Sequence, residues 1–405
     1  MKAVIRNSSF GGKIKIPSSK SYTHRLLISG ALYNYIHNTP VEIINILDCD
    51  DSIATLDILS NLGFIIRRIN NNVLIEGYNK NDLPLFNCNA SGSTARFFIP
   101  ILSYFYDNYS LKGIPKLISR LQTVDINDLN GLKVTFTENV EVKGKLNSDL
   151  YSLSQKNTTQ FISGMIFSMV LYGFKIKVDG VLNPYILMTI DSLRRFGFKI
   201  KVEEDRDYSL ISYMEYCEIT EAKVEVEADH SNASYFHNIN YLDNNCVLID
   251  NLNYDSLQGD KIYIEFLDKI RNSKECTINI ESCPDLGPAL FALSSVSGKL
   301  VTITGIEKLY LKESNRVDSM ICNLNKLGAD IEVVGKKVIV QGKDFLEGGA
   351  TVDSFNDHRI VMALASIASK VKNPYTITNI EAINKSYPEF FSDYLKISGK
   401  VELGE

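Results

Sequence analysis

One pattern of apolar and polar positions recurs along the chain. Apolar residues at helical spacing lead to an apolar residue plus Gly, and alternating positions broken by a short polar turn follow. It is clearest in ILSNLGFIIRRINNNVLIEG from Ile58, SLRRFGFKIKVEEDRDYSLI from Ser192 and NLNKLGADIEVVGKKVIVQG from Asn323. The helical period predicts a helix, and Gly63, Gly197 and Gly328 stand where a C-cap needs left-handed backbone. The period of two that follows predicts paired strands. Weaker copies are INDLNGLKVTFTENVEVKG with Gly131, IEFLDKIRNSKECTINI without the Gly, and the closing FFSDYLKISGKVEL.

A helix, Gly and strand in succession are common in any α/β chain, so three copies alone say little. Six at near-regular spacing predict six units of about 65 residues, each β, α, β, α, β, β, in an α/β (α+β) fold. Phe161–Phe174 (FISGMIFSMVLYGF) is shorter than the roughly 20 apolar residues that cross a bilayer, and reads as a buried helix.

The chain has 405 residues, of which 45% are hydrophobic and 22% charged, too long for one core and too ordinary for disorder. Two lobes of three units fit that length, with a cleft between them as the default ligand site. Forty-three basic against 48 acidic residues give a net charge of −5, which speaks against nucleic-acid and membrane partners without excluding a basic cleft. The seven cysteines lack a C-x-x-C pair and read as core thiols of a reducing cytoplasm. No signal peptide is expected from the first residues, MKAVIRNSSFGGKIKIPSSK. His230 and His237 lack a third obvious ligand, so no metal is expected.

Basic and hydroxyl residues gather in short segments far apart. PSSKSYTHR offers Ser18, Ser19, Lys20, Ser21 and Arg25 at an expected helix start, and NASGSTARFF offers Gly92, Arg96 and the expected caps Ser93 and Thr94. Arg120 lies in apolar KLISRL, and NTTQF supplies Thr158, Thr159 and Gln160. SCPDLGPAL brings Asp285, LYLKESNRVDSM brings Lys312, Glu313 and Arg316, with Lys312 and Arg316 spaced to share a helix face. DSFNDHRIVMALA brings Asp357, His358 and Arg359, and INKSYPEFF brings Lys385. Each segment alone has a plainer reading than anion binding, as a helix cap, a surface charge or a solvated turn; together they suit a multiply anionic ligand.

In this order and over nearly the full length, PSSKSYTHR, SGSTAR, SLQGD (Ser256 to Asp260), PDLGPAL, LKESNR and NDHR resemble the 5-enolpyruvylshikimate-3-phosphate synthase family. The related UDP-N-acetylglucosamine enolpyruvyl transferases are disfavoured, since Ser21 follows Lys20 and no Gly-rich loop carries a Cys. The resemblance implies a two-lobed fold of six units, here residues 1–18 with 228–405 and residues 19–227, with the active site in the cleft between lobes. It implies transfer of the enolpyruvyl group of phosphoenolpyruvate to the 5-hydroxyl of 3-phosphoshikimate through a tetrahedral ketal, with phosphate released. No cofactor, metal, nucleic acid or membrane is then involved, and a cytoplasmic monomer is expected.

By the same resemblance, 3-phosphoshikimate is held by Lys20, Ser21, Arg25, Thr158, Thr159, Gln160, Tyr185, Asp285 and Lys312. Phosphoenolpyruvate is held by Lys20, Gly92, Arg120, Gln160, Arg316, Arg359 and Lys385. Asp285 is the expected base toward the hydroxyl, with Glu313 and Lys20 or Lys385 as proton carriers. The sequence departs from the family pattern at Ser18 for Gly, Leu182 for a phosphate-binding Ser, Asn315 for Asp, and Phe97 for the Pro of glyphosate-sensitive members. A transferase of altered substrate and a catalytically silent phosphosugar-binding protein are the alternatives. Retention of Lys20, Asp285, Glu313 and Lys385 together favours an enzyme.

Overall fold

The computed structural model describes residues 1–122, 129–156, 158–217, 219, 221–244 and 246–404. The chain divides into two compact units, Met1–Pro17 with Ala228–Glu405, and Ser18–Glu227. The first crossover therefore falls between Pro17 and Ser18, one residue before the expected edge. Each unit ties off its own crossover with a backbone bond. Ser19 N donates to Glu227 O at 2.7 Å in the one, and Asp229 N to Pro17 O at 2.9 Å in the other.

Within Ser18–Glu227, three four-stranded sheets share one strand order. In the middle one, Leu85–Asn87 runs parallel to Asn108–Lys112, which pairs antiparallel with Val140–Gly144, itself antiparallel to Leu132–Phe136. The helix Gly92–Phe105 joins the parallel pair, as a crossover must, and a tight turn joins the antiparallel pair. The sheet from Leu150–Leu153 to Tyr208–Tyr216 repeats this arrangement. The sheet around Val41–Ile44 does so too, taking its parallel strand, Lys223–Glu225, from the far end of the unit.

The helix Thr159–Tyr172 is the predicted apolar one, and Phe161 to Val170 are buried. It packs against Gly92–Phe105 so closely that a Cβ on Gly164 would lie 2.7 Å from Arg96 O and 2.9 Å from Phe97 O. Glycine is what permits that approach.

Within Met1–Pro17 and Ala228–Glu405, two sheets have the same order. One comprises Glu275–Asn279, Leu300–Thr304, Lys337–Gln341 and Ile331–Val334. The other comprises Thr351–Asp353, Tyr375–Thr378, Lys2–Ile5 and Val401–Gly404, so the first strand of the chain completes the last sheet.

The remaining repeat is shortened, which corrects the expectation of six equal units. Gly12–Ile14 pairs with Val247–Ile249, the helices His230–Leu242 and Tyr263–Asn272 follow in turn, and the chain then enters Glu275–Asn279 directly. The closing hairpin is missing because IEFLDKIRNSKECTINI carries neither the Gly nor a second alternating run.

Gly63, Gly131, Gly197 and Gly328 all have positive φ. At Gly63 a Cβ would fall 2.1 Å from Asn79 O. Of the weaker copy that leads to Gly131, residues 126–128 lie outside the described residues. Cys49, Cys88, Cys276 and Cys283 are buried, but Cys246 is half-buried and Cys217 and Cys322 are exposed, so those three are not core thiols. Among the described residues, no helix is long and apolar enough to cross a membrane.

Candidate active site

In Ser18–Glu227, the helix starts deliver the functional groups. Ser19 caps Lys20–His37 by accepting from Tyr22 N, Ser91 caps Gly92–Phe105 by accepting from Thr94 N, and Thr158 caps Thr159–Tyr172 by accepting from Gln160 N. The cap of the second helix is thus Ser91 rather than Ser93 or Thr94. Asn157 of NTTQF lies outside the described residues. Three helix N-termini carrying hydroxyls suit anionic ligands, because the dipole and the first-turn amides favour negative charge there.

Lys20 Nζ stands 2.9 Å from Asp51 Oδ2, at the start of the next helix. Gln160 ties two segments together, accepting from Arg96 Nη1 at 2.9 Å and donating to Ser93 Oγ at 2.8 Å. Arg96 and Arg120 both border Gly92, where a Cβ would lie 2.8 Å from Arg96 Nη1 and 3.7 Å from Arg120 Nη2.

Arg25 is buried and donates to Thr189 Oγ1 at 2.9 Å, Ser21 O at 2.9 Å and Tyr185 O at 3.1 Å, with its guanidinium over the Phe97 ring. Burial pushes it down to about 10. Its neighbours are neutral oxygens and rings, so the charge is held in place without being neutralised. Behind it a hydroxyl relay runs from His24 Nδ1 to Thr55 Oγ1 (2.7 Å), Thr94 Oγ1 (2.8 Å) and Ser91 Oγ (2.7 Å), locking three helices together. Leu182 is a core residue, and Asn183 beside it caps the helix Pro184–Arg194 that carries Tyr185.

The other unit holds a denser ionic cluster centred on Asp285, at the turn Pro284–Leu286. Its Oδ1 meets Arg316 Nη1 at 2.8 Å and Lys312 Nζ at 3.2 Å, and its Oδ2 meets Arg359 Nη2 at 2.9 Å. Burial works against the ionised carboxyl, but Arg359, Lys312 and Arg316 outweigh it and hold it well below the usual carboxylate range. Lys312 is pushed down, mainly by burial.

Arg316 is the hub, 1% exposed, with Nη2 on Glu313 Oε2 at 2.7 Å and Nε on Asp357 Oδ2 at 2.8 Å. Asp357 also caps His358–Ala365, accepting from Arg359 N at 3.0 Å and from Ser314 Oγ at 3.1 Å. Lys385 Nζ lies 3.7 Å from Glu313 Oε1. Lys312 and Arg316 do not share a helix face. Lys312 is extended after the turn Glu307–Leu311, while Arg316 opens the helix Arg316–Lys326, and the bend between them aims both at Asp285. Asn315 is the cap of that helix, accepting from Asp318 N at 3.2 Å, which is a role Asn fills as well as Asp.

Of the expected residues, Lys20, Ser21, Arg25, Gly92, Arg120, Thr158, Thr159, Gln160 and Tyr185 belong to Ser18–Glu227, where contacts join Ser21, Arg25 and Tyr185 and, through Arg96, Gly92, Arg120 and Gln160; Asp285, Lys312, Glu313, Arg316, Arg359 and Lys385 belong to the other unit and are linked by ion pairs. Asp51, Arg96 and Asp357 have structural parts that the sequence reading did not assign. A helix-start carboxylate was visible in each Asp, but its partner lies 31 residues away for Asp51 and 41 for Asp357.

The model of EPSP synthase (3-phosphoshikimate 1-carboxyvinyltransferase) matches residues 5–394. The chain belongs to the EPSP synthase family. Relatives named 3-phosphoshikimate 1-carboxyvinyltransferase include those of Clostridium novyi, 34% identical, and Clostridium kluyveri, 32% identical, each over 98% of this chain and 97% of theirs. An EPSP synthase structure from Acinetobacter baumannii superposes with a TM-score of 0.78 over 100% of both chains at 20% identity. The enolpyruvyl transferase NikO from Streptomyces tendae gives 0.72 at 12% identity, over 99% of this chain and 98% of its own. These two likenesses bear on the fold.

Proposed function

We propose that the protein transfers the enolpyruvyl group of phosphoenolpyruvate to the 5-hydroxyl of 3-phosphoshikimate, releasing phosphate, a step of the shikimate pathway. The observation that carries this reading is Asp285, a carboxylate kept ionised among three cations. Being ionised, it can accept a proton from a hydroxyl held against it, and it is surrounded by groups that attract anionic substrates. The family match and the relatives' names support the same reaction.

The two substrates carry two carboxylates and two phosphates between them. Lys20, Ser21, Arg25, Thr158, Thr159, Gln160, Tyr185, Asp285 and Lys312 hold 3-phosphoshikimate in this proposal. Gly92, Arg120, Arg316, Arg359 and Lys385 hold phosphoenolpyruvate, with Lys20 and Gln160 serving both. With Leu182 apolar and buried, phosphate contact falls to Thr158 and Thr159 at a helix start.

Asp285 takes the 5-hydroxyl proton as oxygen attacks C2 of phosphoenolpyruvate. Glu313, beside Lys385, passes a proton to the methylene carbon, giving a tetrahedral ketal. The ketal then loses a proton from its methyl group and expels phosphate, restoring the double bond. The guanidinium groups of Arg316 and Arg359 stabilise the charge that develops on the phosphate.

Phosphate release from the purified protein with both substrates tests the reading. Release that depends on both supports it, and no release defeats it. Release only with UDP-N-acetylglucosamine in place of 3-phosphoshikimate would move the protein to the sibling activity. The protein would function as a monomer in the cytoplasm, which sedimentation and cell fractionation check.

A further inference from the structure

Two successive residues ahead of the helix His358–Ala365 have left-handed backbone, Phe355 at φ 52° and Asn356 at φ 57°. Asn adopts that conformation readily, but a bulky aromatic residue does not, so Phe355 is a strained position. Such strain persists only where the surrounding contacts over-determine it.

Here a carboxyl, an amide and a hydroxyl do so. Asp353 Oδ1 accepts from Phe355 N at 2.6 Å and from Asn379 Nδ2 at 3.1 Å, and Asp353 Oδ2 lies 3.3 Å from the same amide. Asn379, also left-handed at φ 57°, comes into reach because Thr351–Asp353 runs parallel to Tyr375–Thr378, with Asp353 opposite Thr378. Ser354 is fully buried. Its Oγ donates to Asn379 O at 2.8 Å and accepts from Asn356 N at 3.1 Å, and its carbonyl accepts from Asp357 N at 3.0 Å.

Both ends of this turn lead to the helix Arg316–Lys326. At one end Asn323 donates through Nδ2 to Asp353 O at 2.6 Å and accepts from Asp353 N at 3.1 Å. At the other, Asp357 accepts from Arg316 Nε at 2.8 Å and from Arg359 N at 3.0 Å. The turn thus sets Asp357, and through it the two guanidinium groups that meet Asp285 at 2.8 and 2.9 Å.

We propose that Asp353 is a positioning residue for Arg316 and Arg359: with Asn379 it clamps the strained turn that delivers Asp357. This rests on the reading of those two arginines as phosphoenolpyruvate contacts. Without the clamp Phe355 relaxes toward ordinary backbone, Asp357 shifts, and both guanidinium groups lose their aim. Of the contacts assigned to 3-phosphoshikimate, those in Ser18–Glu227 take no part in these bonds.

Steady-state kinetics with each substrate varied in turn test this on the full-length wild type, Asp353→Ala, Asp353→Asn and Asn379→Gly. Asp353→Ala raises KM for phosphoenolpyruvate about tenfold and leaves KM for 3-phosphoshikimate within about twofold of wild type. Asp353→Asn keeps an Oδ1 acceptor for Phe355 N and returns both values to near wild type, which separates the clamp from the charge. Asn379→Gly keeps the left-handed backbone, loses only the amide, and shows the same selective rise to a smaller extent.

A merely structural role lowers the folded fraction, and so kcat, with both KM values unchanged; that outcome in Asp353→Ala overturns the proposal. An equal rise in both KM values overturns it as well, as does an Asp353→Asn enzyme as impaired as Asp353→Ala. Should Asp353→Ala fail to fold, Asn379→Gly decides alone, and a KM for phosphoenolpyruvate at the wild-type value in that variant defeats the idea. A wild type that releases no phosphate from the two substrates overturns the functional reading and this inference together, before any variant is made.

Discussion

Asp285, Arg316 and Lys20 show what single residues contribute. The Asp285 carboxylate accepts from two guanidinium groups and an ammonium, so replacing it by Asn removes the base but leaves the cations that attract substrate. Asp285→Asn should lower kcat by about 100-fold or more while KM for either substrate changes only severalfold, measured by phosphate release. An unchanged kcat would refute the assignment.

Arg316 is different, because it is buried and compensates Asp357, which is 0% exposed. Arg316→Met removes the guanidinium that compensates that buried carboxylate, and urea denaturation should show a loss of about 3–5 kcal/mol. Lys20→Met should raise KM for both substrates, since Lys20 is proposed to touch both; a rise for only one would show that its contact is narrower.

At the scale of elements, close packing sets the position of polar groups. The helices Gly92–Phe105 and Thr159–Tyr172 approach through Gly164, and that approach lets Gln160 reach Arg96 and Ser93. Gly164→Ala places a methyl group against backbone oxygens that cannot swing aside. We expect a loss of about 1–3 kcal/mol in urea, with a raised KM as Gln160 is displaced. Wild-type stability in this variant would show that the helices separate at little cost. Hydroxyl caps matter in the same way: Ser19, Ser91 and Thr158 fix where each helix begins, and hence which residues occupy its first turn.

For the whole molecule, acid should be the weak direction. Burial lowers His24 to about 3 and His237 to about 4, both below the ordinary histidine value. As pH falls below about 6.5 the unfolded chain takes up protons that these folded histidines refuse. Stability present above that pH is then lost, for buried His24 at up to about 1.4 kcal/mol per pH unit until its folded value is reached. The depressed Asp285 acts in the same direction below about pH 4, where the unfolded carboxyl protonates first. Melting temperatures should therefore fall from pH 6.5 to 4.5, less steeply in His24→Gln. An identical slope in the two proteins would exclude His24 as a source.

Periodicity alone was enough to place the repeating helix and hairpin, because burial of one face writes a period of 3.6 or 2 into the chain wherever an element packs. The buried helix after NTTQF and the motif-bearing helix starts could be read for the same reason. The shortened repeat carried a local sign in its missing Gly. What the sequence could not supply was partnership: Lys20 with Asp51, Gln160 with Arg96, and Arg316 with Asp285, Glu313 and Asp357 at once.

A salt bridge between distant residues leaves no period, since its two ends are brought together by packing between elements that each look complete alone. The charge that counted as −5 over 405 residues is, in the folded chain, a set of cations held close by carboxylates within each unit. Only tertiary structure decides which charges are neighbours, because Coulomb energy depends on distance through space and burial removes the water that would screen it.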